Sequence, residues 1–215
     1  MSAKSGALAP HFADFDQQQE ATALGMWTFL ATEVMFFGGL FTAYAVYRQQ
    51  HPDAFKEASA KLNLTLGAVN TIVLLTSSLT MALAVYCTHV GRGRWLTVCL
   101  AVTAMLGAGF LIIKAYEYYG DYADGLIPGL GFDEGVWEKP EGVKLFLLLY
   151  YLMTGVHALH LIAGITLMAV LTCLARHGRY GPAYHAPVEI SGLYWHFVDV
   201  IWIFLLPLLY MVGVR

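Results

Sequence analysis

Seven ionisable side chains stand inside long apolar stretches of this sequence: Glu33, Lys114, Glu117, His157, His160, His196 and Asp199. At membrane depth such groups cost roughly 2.5–3.5 kcal/mol each, and a helix that keeps them usually has a use for them. Six of them form pairs three residues apart, a spacing that puts both members on one helix face. Lys114 and Glu117 are placed to form an ion pair, and His196 and Asp199 an acid–imidazole pair. His157 and His160 are expected to face the same neighbour, one turn apart. At about 1.5 Å per residue, Glu33 and Asp199 both come out about 15 Å deep from the same side. A polar cluster of Glu33, His196, Asp199 and one histidine of the fourth span is therefore expected. It could be a hydrogen-bonded network that fixes helix packing, or a site that handles protons or lipid head groups.

Two harder chemistries fit less well. A b-type haem needs two histidines from facing helices at matched depth. His157 or His160 with His196 could nominally supply them, but no second pair stands behind them. The HxxH of His157 and His160 has no third ligand on its own helix, so no metal is expected there. The hydroxyls of Thr71, Thr76, Ser77, Ser78 and Thr80, with Asn70, read as packing polarity, bonded to their own helix or a neighbour.

The elements that carry these groups follow from composition. Of 215 residues, 58% are hydrophobic and 13% charged, about half the charge of a soluble domain. Twelve Lys/Arg and fifteen Asp/Glu cannot cover a globule of this size, and the mean hydropathy is +0.60. Soluble, disordered and disulfide-scaffold classes are excluded. A net charge of -3 with no basic stripe gives no reason to expect nucleic acid. Cys87, Cys99 and Cys173, with no CxxC spacing, read as small buried hydrophobes.

Five apolar stretches, approximately 23–47, 64–90, 95–118, 145–175 and 190–212, exceed the ~20 residues a bilayer crossing needs. The expected fold is an all-α membrane protein, a five-transmembrane-helix bundle. A polar tail over 1–21 precedes a single domain over 22–215. The loop over 48–63 is polar and helical in pattern, and the one over 119–143 is acidic and rich in Gly and Pro. Two short turns, each with two arginines, share a side with the N-terminus. That side is assigned as cytoplasmic, with the C-terminus outside.

Read in order, WTFLATEVMFFGGLF (27–41), NTIVLLTSSLTMA (70–82), FLIIKAYEY (110–118), YLMTGVHALHLIAG (151–164) and YWHFVDVIWIF (194–204) resemble subunit III of the haem–copper respiratory oxidases. The resemblance covers all five spans, and five-helix forms are familiar among bacterial members. It implies an accessory integral subunit of a proton-pumping terminal oxidase in a bacterial inner membrane. Such a subunit packs against the catalytic subunit I, in a complex with subunit II and small subunits. It carries no cofactor, the haems and copper lying on the partners, and it supports proton uptake and sustained turnover. The family's buried glutamate falls on Glu33, its histidines on His157 and His160, and its WHFVD motif on Trp195, His196 and Asp199. Bound phospholipid is implied too, with Arg176 and Glu189 near the expected head groups. A quinol oxidase subunit III, the similar subunit associated with nitric oxide reductases, and a haem-carrying quinol-binding subunit are the neighbouring readings. A small proton-coupled transporter is the reading from a different class, and the lack of repeats speaks against it.

Overall fold

The structure is a computed structural model that describes residues 14–129, 132, 134–182 and 184–214. Most of the polar tail, 1–13, lies outside the described residues, as does Asp133 of the acidic loop. The described residues form six α-helices: α1 Phe15–Gln50, α2 Pro52–Lys61, α3 Leu64–His89, α4 Gly93–Ala123, α5 Pro140–Arg176 and α6 Ala186–Tyr210. Short 3-10 turns lie at Glu134–Val136 and Val212–Val214. All but α2 are long and apolar enough to cross a membrane.

The helix ends are written in the sequence. Asp14 caps α1, its carboxylate accepting from the Gln17 N–H at 2.8 Å, so the helix starts within the stretch read as a tail. Asn63 caps α3 in the same way, accepting from the Leu66 N–H at 3.1 Å. Prolines open α2 and α5 at a position where a missing N–H costs nothing. Gly91 at φ +75° and Gly178 at φ +69° turn the chain after α3 and α5, in a region that strains other residues. α1, α4 and α5 overrun their apolar cores, whereas α3 keeps its expected length to within a residue and α6 begins and ends a few residues earlier than hydropathy marks.

α6 is the central post. Half of its most apolar window is buried, against 17% for α1, which lies on the outside of the bundle. The Trp195 ring fills the space between α4 and α5 because Gly107 and Gly164 leave it free. A Cβ on Gly107 would stand 2.7 Å from that ring, and one on Gly164 3.0 Å. Small residues thus set the helix approach, as the composition implied. The Trp195 indole N–H donates to the Ser77 hydroxyl at 3.1 Å, and that of Trp202 to the Thr71 hydroxyl at 3.0 Å. The hydroxyl stripe on α3 is therefore packing polarity, as expected. Of the cysteines, only Cys87 is buried, while Cys173 is exposed on α5. The last residue departs from its expected place because it falls on a face no neighbouring helix covers.

The loops at the far end of the bundle are tied down. The α2 helix buries Phe55 against Tyr44 of α1 and Phe146 of α5, with ring centroids 5.3 Å apart in both cases. Pro207 lies inside α6, and the carbonyls that follow it are capped by other helices. The Tyr44 hydroxyl donates to Leu208 O at 2.5 Å and the Ser59 hydroxyl to Leu209 O at 2.7 Å. Lys139, at the end of the acidic loop, bonds Asp53 of α2 at 2.6 Å. The Lys139 hydrogen bond and charge hold the Asp53 carboxyl below the usual carboxylate range, and Asp53 in turn holds the Lys139 ammonium up.

Candidate functional site

Among the described residues, polar side chains gather at three levels of the bundle. The first sits toward the α2 end. Lys114 and Glu117, both 3% exposed, form the expected pair on α4 at 3.0 Å. The Lys114 ammonium also donates to the Tyr150 hydroxyl of α5 at 2.9 Å and to the Tyr210 hydroxyl of α6. Both phenols pass the hydrogen bond on, donating to Glu117 Oε1 at 3.0 and 2.6 Å. All three ammonium protons are used. The rings of Tyr118, Tyr150, Trp202 and Tyr210 surround the charge, with centroids 4.7–5.5 Å from Nζ. Asp121, one turn on, stands 3.4 Å from the hydroxyls of Tyr150 and Tyr151.

The second cluster lies mid-bundle and differs from its expected form. Glu33 of α1 meets His160 of α5 at 3.0 Å, and the His160 Nδ1 is 2.9 Å from the Val156 carbonyl of its own helix. That carbonyl fixes a proton on Nδ1 and leaves Nε2 for the carboxyl. His157 does not share this neighbour. It is buried on the other side of α5, its ring 5.6 Å from Phe110 of α4 and 5.2 Å from Trp202 of α6. A three-residue step turns the helix by about 60° from a full circle, enough to split two partners when a helix is wedged between others. His196 does not bond Asp199 either. Its Nδ1 meets the Ser78 hydroxyl of α3 at 2.7 Å. Ser78 is also the polar group that approaches buried Asp199, whose oxygens have no hydrogen bond of ordinary geometry among the described residues. The expected four-residue cluster is thus two sites: Glu33 with His160 on α1 and α5, and His196 with Ser78 and Asp199 on α3 and α6.

The third cluster was not foreseen. His89, at the last residue of α3, stands with its Nε2 2.7 Å from Glu189 Oε1. His185, which precedes α6, has its Nε2 3.7 Å from Glu189 Oε2. Glu189, expected only as a head-group contact, is the centre of this group, while Arg176 is exposed at the end of α5. The available signal was His185 and Glu189 four residues apart at a helix start, one turn on the same face. A cleft of ≈ 440 Å³ opens beside Glu189 between α3 and α6, lined by Ala82, Val85, Gly192 and Leu193 and reaching His196.

A family model described as Cytochrome c oxidase subunit III matches residues 135–214, which hold α5 and α6. Cytochrome c oxidase subunit 3 of Thermostichus vulcanus is 34% identical over 189 residues, 87% of this chain and 86% of that protein. That of Synechocystis is 36% identical over 188 residues, covering 87% and 74%. Cytochrome bo(3) ubiquinol oxidase subunit 3 of Pseudomonas putida is 31% identical over 196 residues, covering 91% and 87%.

Proposed function

The chain belongs to the cytochrome c oxidase subunit III family, and from that premise we propose that it is the accessory, cofactor-free subunit packed against subunit I of a proton-pumping oxidase. As an integral membrane subunit III it works within a haem–copper oxidase complex. The observation that carries the accessory role is where the motif residues go. Trp195 fills the Gly107–Gly164 gap, His160 holds Glu33, His196 holds Ser78, and Lys114 and Glu117 hold Tyr150 and Tyr210. These side chains join helix to helix, and a rigid apolar wall is what such a partner offers.

The finer points of this reading are these. The haems and copper sit on partner subunits, and lipid covers part of the exposed outer face of α1. The membrane is a bacterial inner membrane. The α3–α4 and α5–α6 turns, carrying Arg92, Arg94, Arg176 and Arg179, face the cytoplasm with the N-terminus. The electron donor is cytochrome c, in line with the relatives from Thermostichus and Synechocystis. Glu33 and His160, half-buried on the α1–α5 seam, support proton uptake by the neighbouring subunit.

A mild-detergent purification of the tagged chain from its native membrane tests the assembly. Recovery with a multi-span partner and the visible spectrum of haem is the expected result, and recovery of the chain alone overturns it. The supporting role has its own readout. An oxidase lacking this subunit should begin at near-normal turnover and lose activity sooner. An unchanged lifetime would remove that role.

A further inference from the structure

We propose that His89, His185 and Glu189 form a zinc site that clasps the end of α3 to the start of α6. One ring nitrogen of each histidine and a carboxylate oxygen of Glu189 all lie within 4.8 Å of one another. Ligand atoms around a tetrahedral zinc stand about 3.4 Å apart, given bonds near 2.0–2.2 Å, so small side-chain rotations close the set. Two imidazoles and one carboxylate, with a fourth position for water, suit Zn²⁺ well.

The orientation of the rings points the same way. His185 Nδ1 lies 3.1 Å from the Pro182 carbonyl, to which it donates. That contact fixes the ring with Nε2 facing Glu189 Oε2 at 3.7 Å, the nitrogen placed to bind an ion beside the carboxylate. The His89 ring, with its centroid 4.8 Å from that of His185, brings a second nitrogen to the same spot. The frame is already set. The turn at Gly91 lies against Pro182, where a Cβ would be 3.4 Å from the proline ring, so the two turns keep their spacing without a metal. The cleft beside Glu189 gives water a way to the fourth position. This site is independent of the proposed contact with subunit I, because all three ligands come from this chain.

The test uses whatever assembly the chain purifies in, stripped with a chelator and dialysed against buffered Zn²⁺. Wild type should hold one zinc more per assembly than the variants H185A and E189Q, with an affinity at least about tenfold higher. An X-ray absorption edge spectrum of the bound zinc should show two imidazole nitrogens. H89Q, which keeps side-chain length and a hydrogen-bond donor, should lose the ion as well, and serves if H185A does not assemble. Equal zinc content in wild type and the variants that assemble overturns the proposal. So does a spectrum without imidazole ligands.

Discussion

Both ends of this bundle gather charge, and they treat it in opposite ways. At the α2 end the Lys114 ammonium is sealed from solvent and spends its three protons on Glu117, Tyr150 and Tyr210. At the other end, Glu189 stands between two imidazoles at the surface. The first arrangement is complete as the protein folds, with partners from α4 itself, α5 and α6. The second is a looser histidine–carboxylate group, open to solvent. The difference follows from depth. A charge deep in the bundle must find partners within the chain, whereas one at the rim can take them from the solvent.

Breaking the sealed end should have the largest effect. Lys114→Met leaves Glu117 buried without its cation, and loss of one partner of a buried pair costs about 3–5 kcal/mol. Thermal unfolding of the detergent-solubilised assembly should show it, and the double variant K114M/E117Q should recover much of the loss. A K114M variant as stable as wild type would mean that the cluster is not the anchor its geometry describes.

Next comes Tyr210→Phe, which removes one hydroxyl that both receives from Lys114 and donates to Glu117. About 1–3 kcal/mol should be lost in the same melt, the range for a bond to a charged group and its orphaned partner. An effect as large as that of K114M would mean that the tyrosine, not the ion pair, holds the three helices.

The open end should respond less. His89 and Glu189 are about a third to a half exposed, so in metal-free buffer Glu189→Gln should shift stability by only about 0.2–1 kcal/mol. Added zinc should then raise the melting temperature of wild type but not of the variant. A large metal-free loss would move this cluster into the same class as Lys114.

The smallest effect belongs to the exposed Asp53–Lys139 bond, which sharpens the rule that depth decides. Asp53 is held below its usual range, so its contribution is present above the unfolded value of about 4 and fades as pH falls through its folded value. Lys139 is held above its usual range, so the pair also weakens as pH rises past about 10. Amide exchange across the 124–139 loop should quicken at both extremes and in high salt. Exchange that ignores both would show that the loop is held by apolar contacts alone.

The spans, the Lys114–Glu117 pair and the hydroxyl stripe were legible because each depends on local periodicity. Hydropathy over one helix marks a crossing, and a three-residue step marks a face. What periodicity leaves open is which helix that face meets. Tyr150 and Tyr210 lie 36 and 96 residues from Lys114, and nothing local ties them to it. The pairing expected for His157 and His160 broke because α5 is wedged between α1 on one side and α4 and α6 on the other. The His89–His185–Glu189 group escaped notice for the same reason. His185 and Glu189 precede the apolar stretch that begins near 190, and His89 sits at the very edge of the one that ends near 90, where a polar residue does not stand out.

The seat of α2 bears on how the chain is made. Its Ser59 hydroxyl finds its acceptor at Leu209, 150 residues downstream, and the Gly213 N–H later closes on the same oxygen. A ribosome adding about 5–20 residues per second needs on the order of 10–30 s to cover that distance. For that interval Phe55 has Tyr44 of α1 and, once α5 is made, Phe146, but the part of its seat built by the end of α6 is missing. The membrane surface is the place such a short amphipathic helix can wait, and the last turn of the final span is what calls it in.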